Sequence, residues 1–326
     1  MSRATGGTAP WVSEDRCGLP HATSTSRGIL RMTESKTHWE GVFPSLCTPF
    51  GEDGSIDLAS QRAVVRFALS CGAHGVFCLG LAGEVNKLTP KERKQLSSVI
   101  VEEVNGRVPV LVGVGAESEH TADDLTRCAE TVGADGVVAP PPSTARTSAD
   151  TIERYFLAIA ETTHLPVVIQ DAPAYLGVAL SADLVGRLAA RQPNIRYVKL
   201  ESGPEQTVDW VAHLHHQAHV FTGDAGLHLL TSLRAGAVGN VPGAEVTDLL
   251  IAAYNAEKRG DPATADALHA RLLPYLVFSL QGLDHYNACS KEMLVRRGIL
   301  PRGGLRRPAS QLVPSALELI EKYFRD

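Results

Sequence analysis

The stretch "RYVKLES", residues 196–202, sets Lys199 inside a short apolar run and Glu201 two residues further on. An ammonium held among apolar strand ends loses the solvation of its charged form. Its pKa then falls, and the free amine becomes a nucleophile toward carbonyl carbon. A neighbouring carboxyl group is able to move protons during such a reaction. If the run is a β-strand, its period of two puts Lys199 and Glu201 on the same side. The pair also fits a plainer reading, in which the lysine snorkels to water or the two side chains form a salt bridge.

Other suggestive patterns carry less. The segment "GLAGE", residues 80–84, reads either as a phosphate cradle or as ordinary turn chemistry. Gly113 and Gly115 in "VGVGAES" read as close-packing glycines at a strand end. The cluster "HLHHQAH" supplies His213, His215, His216 and His219, where a helix gives way to a strand. That position suits a solvated helix end better than a set of zinc ligands. The chain contains no GxGxxG or GxxxxGK[ST] loop and no GxSxG elbow.

The elements that would position Lys199 are legible from residue 41 onward. Short β-branched runs occur at "GVFPSLC", "GVFCLG", "VPVLVGV", "DGVVAP", "LPVVIQ", "RYVKL", "HVFTG" and "VGNVPG". Helical patterns lie between and after them, over 57–70, 90–104, 119–132, 148–162, 181–191, 205–215, 225–235 and 244–258. The runs are apolar throughout, as in parallel strands covered on both faces. Eight such units predict an α/β fold, a (β/α)8 barrel over 38–260, with an open doubly wound sheet as the rival. Past residue 260 the strands stop, and three further helices predict a C-terminal appendage over 261–326. Barrel chemistry sits at the C-terminal ends of strands. That rule selects Thr48, the loop residues Leu81, Ala82 and Gly83, Gln170 with Asp171, Lys199 with Glu201, Asp224, and Asn240 with Val241.

The bulk numbers narrow the class. A net charge of -5 offers no basic footprint for nucleic acid. No apolar run approaches the roughly 20 residues that span a bilayer. Six scattered cysteines without a CxxC pair suit a reducing cytoplasm. Residues 1–37 are rich in Ser, Thr, Gly and Arg without periodicity and lack a signal-peptide core, which predicts a disordered leader.

Taken in order, "GVFPSLCTPF", "LGLAGE", "LTPKER", "VPVLVGVGAES", "GADGVVAPPP", "NIRYVKLES" and "TGDAGLHLLTSLRAGAVGNVPG" resemble the dihydrodipicolinate synthase/N-acetylneuraminate lyase family over about residues 40–325. The resemblance implies a barrel, usually tetrameric, whose strand-6 lysine forms a Schiff base with a 2-keto acid. That lysine matches Lys199. It implies no cofactor beyond the covalent lysine, no metal, a small keto-acid substrate, a cytoplasmic homotetramer or homodimer, and neither nucleic-acid nor membrane partners. Lys199 and Glu201 are then the catalytic pair, with Leu81, Ala82, Gly83, Gln170, Asp224, Asn240 and Val241 around the substrate.

The departures from that pattern bear on the reaction. The family's Gly-Thr-Thr-Gly-Glu loop reads Gly80-Leu81-Ala82-Gly83-Glu84 here, the strand-5 tyrosine is Gln170, and Tyr175 stands in place of an arginine that grips dicarboxylic products. A Gln-Asp-Ala-Pro segment and a Lys-x-Glu pair are similar to those of 2-keto-3-deoxy-L-arabinonate dehydratases. The resemblance therefore implies dehydration of a 2-keto-3-deoxy sugar acid. The alternatives are a pyruvate-dependent aldolase or 4-hydroxy-tetrahydrodipicolinate synthase with a rebuilt pocket, and an inactive keto-acid-binding homologue.

Overall fold

The structure, a computed structural model of the chain, describes residues 38–325; the leader expected over 1–37 lies outside them. Eight strands run in parallel: β1 Gly41–Val42, β2 Val76–Cys78, β3 Val110–Gly113, β4 Gly136–Ala139, β5 Val167–Asp171, β6 Ile195–Leu200, β7 His219–Thr222 and β8 Gly239–Asn240. Their order is β1-β8-β7-β6-β5-β4-β3-β2. Backbone bonds bring the two ends of that order together, since Leu46 N–H donates to Phe77 O (2.8 Å) and Phe77 N–H to Pro44 O (3.0 Å). The result is a (β/α)8 barrel with helices outside. The first and last strands are shorter than their apolar runs, because Pro44 and Pro242 lack the N–H that a continuing ladder needs.

Alternation along each strand divides the core into two. Phe77, Leu111, Val138, Val168, Tyr197 and Phe221, one from each of β2 to β7, pack together inside the barrel. Their strand neighbours, among them Val112, Val137, Ile169 and Val198, face the helical layer. Trp39 stacks on Tyr197 with ring centroids 4.9 Å apart, and its backbone N–H donates to the Tyr197 hydroxyl at 2.8 Å.

Helix starts follow local chemistry. Asp57, Thr89, Ser118, Ser148 and Ser181 each turn a side-chain oxygen onto a first-turn N–H, and Thr89 completes a capping box with Glu92. Gly113 and Gly115 are close-packing glycines as expected: a Cβ would lie 2.1 Å from Leu79 O and 2.4 Å from Pro140 Cδ, respectively. Three C-terminal helices follow the barrel, Pro262–Ser279, Leu283–Arg296 and Pro314–Arg325. The middle one is tied to the loop after β2. Lys291, with no exposed surface, donates to Glu84 Oε1 and to Gly304 O (3.1 Å), and its ammonium sits 4.5 Å from the Phe50 ring centroid.

Candidate active site

Alternation on β6 decides where the lysine points. Tyr197 lies in the barrel interior and Val198 outside it, so Lys199 and Glu201 return to the interior one and two steps above Tyr197. Lys199 pairs in register with Gln170 on β5 and Phe221 on β7. Its side chain is buried with its ammonium 6.0 Å from the Phe77 ring centroid. Burial pushes the Lys199 pKa down to about 7, while the nearby Asp224 charge works in the opposite direction. A near-neutral pKa leaves much of the amine unprotonated at pH 7.

Glu201 is held at both oxygens. Oε1 accepts from Lys199 Nζ and from Gln170 Nε2 (3.3 Å), and Oε2 accepts from the Asp224 backbone N–H (2.5 Å). That last donor is aimed by an unusual backbone. Asp224 and Ala225 adopt left-handed φ values of 47° and 54°, a conformation that costs non-glycine residues energy. Gly223 permits the close approach, since a Cβ there would fall 2.0 Å from Glu201 Oε2. The carboxylate is thus pinned beside the amine.

Above this pair lies a small cleft of about 40 Å³. Its walls include Leu81, Ala82, Gln170, Asp224 and Val241, and the C-terminal segment contributes Leu280, Leu283 and Tyr286. Tyr175 also lines it and donates to Asp224 Oδ1 at 3.5 Å. Burial raises the Asp224 pKa, against the pull of Lys199, and raises that of Tyr175 to about 12.

Four residues selected by strand-end position do not line the cleft. Asn240 faces outward and donates to Thr222 O (3.0 Å) and Gly223 O (3.1 Å), so its amide secures the end of β7. Asp171 Oδ1 accepts from Leu180 N–H at 2.9 Å and fixes the loop after β5. Thr48 donates to Gly83 O at 2.7 Å, so these two residues lock the β2 loop beneath its exposed face. In the histidine cluster, His213 contacts Asp183 at 2.9 Å and His219 packs on Tyr197. Among the described residues no group of three His, Cys, Asp or Glu could hold a metal ion.

Other participants escaped the strand-end rule. Ser45, buried in the cleft wall, has a hydroxyl with no protein partner. Glu84 lies wholly buried and receives Lys291, Lys87 Nζ (3.2 Å) and the Arg306 N–H (3.1 Å), so it anchors the β2 loop. Tyr286 and the buried Glu245 share a bond at 3.2 Å. No strand carries Tyr286, and Glu245 sits beyond the end of β8, so the strand-end rule reaches neither.

The Dihydrodipicolinate synthetase family model matches residues 38–322. The chain is 34% identical over 279 residues to the 4-hydroxy-tetrahydrodipicolinate synthase of Methanosphaerula palustris, covering 84% of this chain and 94% of the relative. It is 32% identical over 247 residues to the "Probable 2-dehydro-3-deoxy-D-pentonate aldolase YjhH" of Escherichia coli K12, covering 72% and 80%. Among solved structures, E. coli YagE in complex with pyruvate superposes with a TM-score of 0.84 at 27% identity, over 89% of this chain and 98% of that one. No helix among the described residues is long and apolar enough to cross a membrane. The ordered motifs, the barrel and the matches agree, and the chain belongs to the dihydrodipicolinate synthetase family, lyases that work through a lysine Schiff base with pyruvate and without a cofactor.

Proposed function

We propose that this member dehydrates a 2-keto-3-deoxy sugar acid through a Schiff base on Lys199. The observation that carries the reading is the grouping of Lys199, Glu201 and Gln170: a near-neutral amine, a pinned carboxylate and an amide. An amide has no proton to exchange near neutral pH, so Gln170 orients Glu201 and leaves the acid–base work to the carboxylate.

The steps follow from that geometry. Glu201 takes the lysine's proton, and the free amine attacks the C2 carbonyl. Glu201 returns that proton to the carbinolamine oxygen, water leaves to give the iminium, and the iminium acidifies the C3 protons. Glu201 removes one, and the enamine expels the C4 oxygen as water. In place of side-chain hydroxyls at Leu81 and Ala82, the substrate carboxylate meets the unpartnered Ser45 hydroxyl and the backbone N–H groups of Leu81 and Ala82, which open the short helix Leu81–Gly83 and line the cleft. Asp224 and Val241 complete the substrate wall, whereas Gly83 and Asn240 act by supporting it.

A second reading, aldol cleavage of the same class of acid, is favoured by the relative named as a pentonate aldolase. A screen of 2-keto-3-deoxy acids with products read by mass spectrometry separates the two. Dehydration lowers the substrate mass by one water, whereas cleavage releases pyruvate and an aldehyde. The proposal includes a cytoplasmic enzyme assembled as a homotetramer or homodimer, an assembly that sedimentation measures directly.

A further inference from the structure

A buried polar group with no role in the steps above ends at the wall of the same cleft. Glu245, in the short helix Ala244–Val246 that follows β8, has no exposed surface. Three hydroxyls converge on its carboxyl group: Ser290 at 2.7 Å, Tyr286 at 3.2 Å and Tyr275 at 3.4 Å. Of these, Tyr286 also lines the cleft that holds Lys199 and Glu201. Gly243 makes room for the pair, since a Cβ there would fall 2.0 Å from Tyr286 Oη and 2.2 Å from Glu245 Oε2.

A carboxyl group buried without a bonded cation is an expensive structural device. Three hydroxyls satisfy it, yet an apolar side chain of similar size would fill the same space without the cost. The arrangement makes more sense as a proton store with an outlet. We propose that Tyr286, backed by Glu245, is the catalytic proton donor to the departing C4 oxygen, with Glu245 its positioning and proton-supplying residue. The inference rests on the dehydration reading of the preceding subsection and supplies the acid which that reading leaves unnamed.

The step balances as follows. The C3–H bond breaks toward Glu201, and its electron pair forms the enamine. The nitrogen lone pair then re-forms the iminium and the enamine C2=C3 pair becomes the new C3=C4 bond, while the C4–O bond breaks and its electrons leave with oxygen. With Glu245 protonated, its O–H donates to Tyr286 Oη in place of the bond that Tyr286 otherwise donates to Glu245; the departing oxygen takes the proton of Tyr286 Oη, and Tyr286 Oη takes that of Glu245. Water departs, Tyr286 stays neutral, and the negative charge rests on Glu245 until solvent returns a proton. Glu201 releases one proton in exchange, so the net change is loss of one water. Burial supports both ends of the relay: it raises the Glu245 pKa, which favours a stored proton, and it raises that of Tyr286, which disfavours a free phenolate.

Pyruvate has no C4 oxygen, so it isolates the steps that precede the relay. Full-length Tyr286→Phe and wild type are each given pyruvate in deuterated water, with methyl exchange followed by NMR and the Lys199 adduct trapped by borohydride. They are then given the 2-keto-3-deoxy acid turned over by the wild type. The expected result is an intact adduct and continuing exchange in Tyr286→Phe, with turnover of the sugar acid down roughly 10²–10⁴-fold, the range for a lost general acid. Glu245→Gln is expected to lower kcat while leaving KM and the exchange largely in place. Loss of exchange together with turnover in Tyr286→Phe would reduce the tyrosine to a shaping role and overturn the inference, as would undiminished turnover. Absence of adduct and exchange in the wild type would overturn the Schiff-base reading itself, and the relay with it.

Discussion

The rate at which Lys199 captures a keto acid should level off near neutral pH, and the structure sets where. Burial moves the amine from an ordinary value of 10.5 to about 7. At pH 7 a solvated lysine is about 3 parts in 10⁴ free base, whereas one with a pKa of about 7 is about half free base, a gain of roughly 10³-fold in nucleophile. The sign follows from the free base being the reactive form. Capture rises with pH below about 7 and is flat above it, because no further amine is released. Asp224 opposes the depression, so Asp224→Asn should move the profile to lower pH. The assay is borohydride trapping with pyruvate across pH 5–10, with adduct quantified by intact mass and the protein's fold checked at each pH. A rate that still climbs about tenfold per pH unit between 8 and 10 would mean that the lysine titrates as a solvated amine, and would refute the role assigned to burial.

Three further outcomes test the surrounding geometry. Glu201→Gln is expected to leave the trapped adduct detectable while turnover drops roughly 10²–10⁴-fold and C3 deuterium exchange disappears; normal exchange would make Glu201 only a partner for the lysine's charge. Gly223→Ala places a Cβ 2.0 Å from Glu201 Oε2, so it should displace the carboxylate and lower turnover while the thermal midpoint changes little; unchanged turnover would show that the carboxylate position is not critical. Lys291→Met leaves the buried Glu84 with Lys87 and the Arg306 N–H as partners, so the loss should fall toward the lower end of the roughly 3–5 kcal/mol for a broken buried pair. Denaturant titration measures it, and a change below about 1 kcal/mol, typical of an exposed pair, would contradict the anchoring role.

The barrel was legible because each βα unit announces itself locally. Apolar β-branched runs mark strands buried on both faces, and oxygen-bearing caps such as Asp57, Thr89 and Ser148 mark helix starts. The catalytic pair was legible for the same reason, since a period of two governs Lys199 and Glu201. Applied to the adjacent pairs, that period separates Gln170 from Asp171 and Val241 from Asn240, and in each pair only the first lines the cleft. Selection by strand-end position alone kept all four together. The short helix at Leu81–Gly83 stayed hidden, and the helical pattern expected over 225–235 divides into Asp224–Gly226 and Leu229–Arg234, because the chain takes left-handed turns at Glu84, Asp224 and Ala225, positions without the glycine that usually signals one. Ser45 follows the same period of two, on the side of the interior Phe43, and was passed over for Thr48. Tyr286 and Glu245 stayed hidden for a different reason: their contacts depend on how the C-terminal helices pack on the barrel, a long-range outcome that no local spacing encodes.

The most direct test of the central claim is the covalent bond itself. The full-length protein is incubated with pyruvate or a 2-keto-3-deoxy acid, reduced with borohydride, digested and sequenced by mass spectrometry. The account predicts one reduced adduct, on the peptide containing Lys199, and none in Lys199→Ala. An adduct on another lysine, or no adduct with any 2-keto acid, would contradict it.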